Sequence, residues 1–157
     1  MSDLVLFHNS MSSCSQKVCL VLAEKDLAFE SREVDLIGGA QHAPDYVELN
    51  PNHVVPTLVH DGHVLIESSL IDEYLEDAFP EVPLAPRDPV ARHAMRLWVK
   101  QIDEKVHPAA GVITYAIGAR PIAAFRLLPA APRRSTARPP MAIRCVITST
   151  TTPPMRA

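Results

Sequence analysis

Apolar and polar residues repeat with two different periods along the first two-thirds of the chain, and the changes of period mark out its elements. Leu4 to His8, L-V-L-F-H, is a run of β-formers and predicts a buried strand. A Ser/Asn-rich loop, Asn9 to Ser13, follows. Val18, Val21, Leu22 and Lys25 then recur at helical spacing, and Ser13-x-x-Gln16 has the form of a capping box, predicting a helix from Cys14 to Lys25. Phe29 to Leu36 alternates as a half-buried strand does, and Gly38-Gly39 ends it. Ala43 to Leu49 predicts a short helix that stops at Asn50-Pro51.

The densest signal lies between Asn50 and Asp72, N-P-N-H-V-V-P-T-L-V-H-D-G-H-V-L-I-E-S-S-L-I-D. Thr57 to His60 and His63 to Ile66 flank Asp61-Gly62, a strong hairpin signal. Pro56 follows two valines, and an X-Pro bond is where a cis peptide costs little. A cis bond there would turn the Val55 N–H and C=O outward at the mouth of a site. Glu67-Ser68-Ser69 with Asp72 has the look of an S-x-x-D cap on a helix from Ser68 to Phe79, with Leu70, Ile71, Tyr74 and Leu75 as its apolar positions. The element order is β-α-β-α-β-β-α. Two readings of the stretch stand at this point. It is a hairpin and a capped helix, or it is the docking edge for a peptide-like ligand. In the second reading the helix N-terminus holds a carboxylate and Glu67 holds an ammonium group.

Phe79 to Pro89 holds four prolines in eleven residues and reads as a linker. Beyond it Ala91, Met95, Trp98, Ile102, Val106, Ala109 and Ile113 form the stripe of a core-facing amphipathic helix, which Pro108 should kink by removing the bond to the Glu104 carbonyl. The 47 % apolar content supplies a core, no run of 18 apolar residues predicts a membrane span, and Met1-Ser2-Asp3 does not begin a secretory signal. Cys14, Cys19 and Cys145 form no C-x-x-C pair and have no zinc spacing, which fits reduced thiols in a cytoplasm. His60 and His63, with His8, are better explained by the hairpin than by a metal ion.

Charge divides the chain sharply. Residues 1–118 carry all 18 acids against eight bases, a net −10, whereas residues 119–157 carry seven arginines, seven prolines and no acid. The Ala/Pro/Arg bias is what a GC-rich gene yields out of frame, so the expected organisation is 1–79, a linker at 80–89, a partial helical region at 90–118, and a tail from a frameshift or truncation near 119–124. A natural basic tail is the other reading, but without aromatics to stack bases it does not point to nucleic acid.

Two stretches, S-M-S-S-C-S-Q-K-V after the first strand and Val55-Pro56 with Glu67-Ser68, together resemble the glutathione-transferase family, from Leu4 to Ile117. The resemblance implies a thioredoxin-like α/β domain, then an incomplete all-α domain. It implies that Val55-Pro56 pairs with the cysteinyl backbone of glutathione and that Glu67-Ser68 holds its γ-glutamyl end. S-S-C-S-x-x-V is similar to the zeta-type motif, which places the catalytic serine at Ser12, with Ser10, Ser13 and Cys14 as rivals. His42 aligns with a glutathione-contacting stretch, and His53 adjoins Val54-Val55; both are also readable as solvated loop histidines. A hydroxyl bonded to a thiolate contributes ~1.5–3 kcal/mol and a helix N-terminus ~0.3–1 kcal/mol, against the ~2.7 kcal/mol needed to lower a thiol pKa by about two units. The implied activity is addition of the glutathione thiolate to an electrophile or glutathione-dependent isomerisation, with glutathione as co-substrate, no metal, and a homodimer as partner. The alternatives are an inactive glutathione- or partner-binding fragment and a thiol–disulfide oxidoreductase working through Cys14.

Overall fold

The structure is a computed structural model that describes residues 3–119. The expectations for the Pro/Arg-rich tail lie outside those residues. Four strands form one mixed sheet in the order β2-β1-β3-β4, with β1 at Leu4–His8, β2 at Glu30–Glu33, β3 at Thr57–His60 and β4 at His63–Ile66. Strands β1 and β2 are parallel and are connected by helix α1 (Ser13–Glu24), while β3 is antiparallel to both β1 and β4. This is the thioredoxin-like α/β arrangement, and a helical region follows it.

The register has a direct consequence for function. Phe7 lies opposite Thr57, and Thr57 lies opposite Ile66. The loop leaving β1, the segment entering β3 and the residues leaving β4 therefore meet at one end of the sheet. Helices α2 (Pro44–Leu49) and α3 (Ser68–Ala78) flank that end.

Alternation along β1 separates two cores. Leu4 and Leu6 join Val18 and Leu22 of α1, Leu58 of β3, and Ile71 and Leu75 of α3; all but Leu4 are fully buried. Phe7 faces the other side, where Val34, Leu36, Tyr46 and Val55 form a smaller cluster and the Phe7 and Tyr46 rings meet edge to face at 6.0 Å. Strand β2 is shorter than the alternation from Phe29 to Leu36 predicts, and its four residues are all exposed. It is an edge strand, and the apolar residues of that run, Val34 and Leu36, lie past its end in the smaller cluster.

Lys25, the odd member of the α1 stripe, is buried. Its Nζ donates to the Phe79 and Val82 carbonyls at 3.0 and 2.8 Å and pairs with Glu76 at 2.7 Å. The linker is thereby tied to α1 and α3.

The last helical region departs from expectation twice. Helix α4 (Pro89–Gln101) passes through a π-helical turn, Ile102–Val106, into α5 (His107–Ile113), and a second π turn covers Thr114–Ala119. The π turn shifts the hydrogen-bond register just before Pro108, which then sits in the first turn of α5, where the missing N–H costs least. The apolar stripe does not face the core: Trp98 is 68 % exposed and only Met95 of the stripe is half-buried. A polar seam instead joins this region to α3 and α1. Arg96 holds Glu73 of α3 through two bonds, 3.1 and 2.6 Å, and Asp103 meets Lys17 of α1 at 3.5 Å.

Candidate functional site

The loop after β1 is shaped by Asn9, a residue to which the sequence gives no special weight. Its buried Nδ2 donates to the Val34 carbonyl at 2.8 Å, its Oδ1 accepts from Met11 N at 2.9 Å, and its carbonyl accepts from Ser12 N at 3.0 Å. Ser12 is thus delivered to the start of α1 as its N-cap, with Oγ accepting from Ser15 N at 3.3 Å. The capping box expected at Ser13 is not formed. Gln16 instead reaches the Ser10 carbonyl at 2.7 Å, because the helix begins one residue before Cys14. Ser12 Oγ accepts from the helix and retains its own O–H to donate outward.

The segment entering β3 is held by an inward-facing amide. Asn50 is fully buried; its Nδ2 donates to the Val54 carbonyl and to Thr57 Oγ1, both at 3.0 Å, and its Oδ1 accepts from Asn52 N at 3.0 Å. Tyr46 Oη adds a bond to the Val54 carbonyl at 2.7 Å, and burial raises the pKa of its phenol. The Val55-Pro56 bond is cis, and no described residue hydrogen-bonds the Val55 amide or carbonyl. His42 and His53 stand beside it with Nδ1 atoms 3.2 Å apart.

After β4, Glu67 has φ +69°, a region costly for any residue with a Cβ, by ~1–3 kcal/mol. It is the N-cap of α3 without making a side-chain cap, so the first amides of α3 are left unclaimed by it. Its carboxylate accepts from Asn52 Nδ2 at 3.3 Å. The S-x-x-D cap is also absent: Ser69 Oγ takes a bond from Lys17 Nζ at 2.6 Å and donates to Asp103, and Asp72 lies half-buried beside them. Burial, opposed by Lys17 and reinforced by Asp103, pushes the Asp72 carboxyl up to about 6.

These three approaches enclose a cleft of about 1250 Å³. Ser12, Ser13, Cys14, His42, His53, Val55, Pro56, Glu67 and Ser68 all line it. Ser10 does not; its Oγ donates to Glu33 at 3.2 Å. The opposite wall comes from the helical region through Lys100, Asp103, His107 and Tyr115. His107 lies 3.4 Å from Cys14 Sγ. Spacing alone assigned this helix to a core and singled out none of these four residues, whereas the family resemblance implies that the helix borders the pocket for the second substrate. The signal in the sequence was a histidine directly before the helix-breaking Pro108. His60, one of the hairpin histidines, bonds Tyr74 Oη at 2.7 Å, and among the described residues no three His, Cys, Asp or Glu side chains gather as a metal set.

Comparison with known proteins agrees with this fold. The family described as "Glutathione S-transferase, N-terminal domain" matches residues 11–78. Protein LigF of Sphingobium is 41 % identical over 122 residues, covering 76 % of this chain and 48 % of that protein. Its crystal structure, described as a beta-etherase, superposes with a TM-score of 0.72 over 76 % of this chain and 50 % of that one. A probable maleylacetoacetate isomerase of Drosophila melanogaster is 38 % identical over 111 residues, covering 69 % of this chain and 49 % of that protein. A glutathione transferase homologue from sulfitobacter, solved with bound glutathione, has a TM-score of 0.67 at 26 % identity over 77 % of this chain and 57 % of that one. The chain spans about half the length of the curated relatives it matches. The similarity to glutathione S-transferases is thus carried above all by residues 11–78, which match that family's N-terminal domain.

Proposed function

We propose that the cleft binds glutathione and ionises its thiol for attack on an electrophile or for a glutathione-dependent isomerisation. The observation that carries the reading is the convergence, at one end of the sheet, of a helix-capping hydroxyl at Ser12, the open backbone of Val55 and the Glu67-Ser68 start of α3. Glutathione presents complementary groups. Its γ-glutamyl carboxylate suits the unclaimed amides of α3 and the Ser68 hydroxyl, its ammonium suits Glu67, and its cysteinyl amide and carbonyl suit those of Val55. His42 and His53 offer donors to the glycyl carboxylate.

Ser12 is the residue assigned to the thiol. Its oxygen is committed to Ser15 N, so its proton is the part free to meet a thiolate. A hydrogen bond to a charged sulfur contributes ~1.5–3 kcal/mol, roughly 10- to 150-fold in rate. The wall of Lys100, Asp103, His107 and Tyr115 borders the space left for the second substrate. The names of the relatives, a beta-etherase and an isomerase, bracket two chemistries that a glutathione thiolate can perform. The reading includes a cytoplasmic location and a homodimer.

Ser12→Ala tests the assignment. Conjugation of glutathione to a generic aryl halide should fall by about 10- to 150-fold while glutathione affinity stays within about twofold. Equal activity in the variant would remove Ser12 from the chemistry. The exposed stripe on α4 favours a second reading, binding without turnover, and saturable glutathione binding with no conjugation of any electrophile would select it.

A further inference from the structure

We propose that His42 and His53 form a two-imidazole chelate for a divalent cation of the zinc class, at the edge of the cleft beside Val55. Both residues are exposed and line the cleft, and they come from separate segments, His42 from the 3₁₀ turn Ala40–His42 and His53 from the loop before β3. Their Nδ1 atoms lie 3.2 Å apart, with ring centroids 5.2 Å apart and planes tilted by 42°. Zinc binds imidazole nitrogen at ~2.0–2.1 Å, so one ion bonded to both Nδ1 atoms would see them at an angle of roughly 100°, close to tetrahedral. Two positions are left for water or for a carboxylate in the cleft.

The backbone sets both rings for this contact. His42 N donates to the Gly39 carbonyl at 2.9 Å, which closes the turn. His53 has φ +57°, a left-handed conformation unfavourable for a residue with a Cβ, and strain of that kind gathers at ligand sites. Its N–H is fixed on the carbonyl of the fully buried Asn50 at 3.1 Å, so the core holds this loop histidine in place.

Without a cation, one Nδ1–H donates to the other Nδ1; a cation takes the place of that proton and accepts both lone pairs. A histidine bound through Nδ1 carries its own proton on Nε2 and gives it to an oxygen. Gln41 is positioned to supply one. Its amide nitrogen lies 3.2 Å from His42 Nε2 and 3.3 Å from the Leu36 carbonyl, while its buried Oε1 has no hydrogen-bond partner among the described residues. Turning the amide over gives up the 3.3 Å bond and sets Oε1 against His42 Nε2–H. Imidazole nitrogen selects zinc, cobalt, nickel and copper over magnesium, which takes oxygen ligands. The chelate uses no residue of the Ser12 chemistry and stands apart from the glutathione reading.

The test is isothermal titration of the full, reduced chain with zinc and with magnesium, together with the absorption spectrum of its cobalt(II) complex. One zinc should bind per chain, and magnesium should not bind. His42→Ala and His53→Asn should each weaken zinc by about tenfold or more, asparagine being chosen because it accepts the left-handed backbone. Both histidines are exposed, and unchanged unfolding midpoints without metal confirm that the variants fold. His63→Ala in the hairpin and His107→Ala beside Cys14 should bind zinc as the parent does. The cobalt complex should show visible ligand-field bands without the near-ultraviolet band of a cobalt–thiolate bond. Zinc binding that survives His42→Ala or His53→Asn, that depends on His107, or that brings a thiolate band overturns the proposal, as does absence of zinc binding at millimolar concentration.

Discussion

Replacing Lys25 by methionine should cost the fold about 3 kcal/mol. The ammonium group lies at the C-cap of α1 with its side chain only 1 % exposed, and it satisfies Glu76 Oε2 at 2.7 Å and the Phe79 and Val82 carbonyls at 3.0 and 2.8 Å. Methionine keeps the buried stem and removes the charge. Removing one partner of a buried ion pair costs ~3–5 kcal/mol, because the other charge stays behind. Two features place Lys25 at the low end of that range. Glu76 keeps bonds from Leu84 N at 3.1 Å and Ala85 N at 3.0 Å, and the freed carbonyls border an exposed linker that water can reach. For a domain of roughly 100 residues, ~3 kcal/mol corresponds to about 12–24 °C in Tm. Urea unfolding should show the midpoint falling with the m-value unchanged. The pH dependence supplies a second signature. Burial pushes the Glu76 carboxyl up, but the bonds from Lys25, Ala85 N and Leu84 N outweigh it and hold its pKa below the usual value. Its contribution to stability is therefore present above the unfolded carboxylate range and is lost as pH falls through the lowered folded value. Lys25→Met should shrink that acid loss. A cost under about 1 kcal/mol would mean that the linker does not depend on this lysine, and would refute the reasoning.

Asp72 titrates in the opposite sense. Its folded pKa of about 6 lies above the unfolded value, so the fold gains stability as pH drops from about 7 to 4, and Asp72→Asn should remove that gain while raising stability at neutral pH by about 1–2 kcal/mol. Urea midpoints across that range decide it; destabilisation at neutral pH would show the charge to be needed beside Lys17. Asn50→Ala should cost ~2–4 kcal/mol, since it strips partners from the Val54 carbonyl, Thr57 Oγ1 and Asn52 N at once. It should also weaken glutathione binding by about tenfold or more, measured by calorimetry, through loss of the Val55 position; tight binding by this variant would mean that Asn50 does not set that edge.

The thioredoxin-like order of elements was legible because its signals are local. An apolar run before a Ser-rich loop, an Asp-Gly turn between two short strands, and helical spacing in α1 and α3 each specify an element without help from distant residues. The candidate site residues lie close to those local signals, since Ser12, Val55 and Glu67 each adjoin a strand or helix end, and the cleft brings them together. The failures lie where distant residues decide. Ser13 and Ser69 match capping patterns, yet Asn9 steers the cap to Ser12, and Lys17 with Asp103 takes the Ser69 hydroxyl. Spacing describes α4 as core-facing, but its stripe is exposed, and the contacts of this region with α3 and α1 run through polar pairs, Arg96–Glu73 from α4 and Asp103–Lys17 from the π turn after it. Lys25 sits in an apolar stripe and so carried a hint of burial; only its partner 51 residues away, Glu76, explains it.

The central claim is that the cleft at the end of the sheet binds glutathione, and thermal unfolding of the 157-residue chain with and without glutathione tests it most directly. Glutathione at about 100 times its dissociation constant should stabilise the fold by ~2.7 kcal/mol, on the order of 10 °C. The shift should shrink in Glu67→Gln and Ser68→Ala, the residues to which the proposed function gives the γ-glutamyl end. A cooperative transition that glutathione leaves unmoved at millimolar concentration would contradict the account.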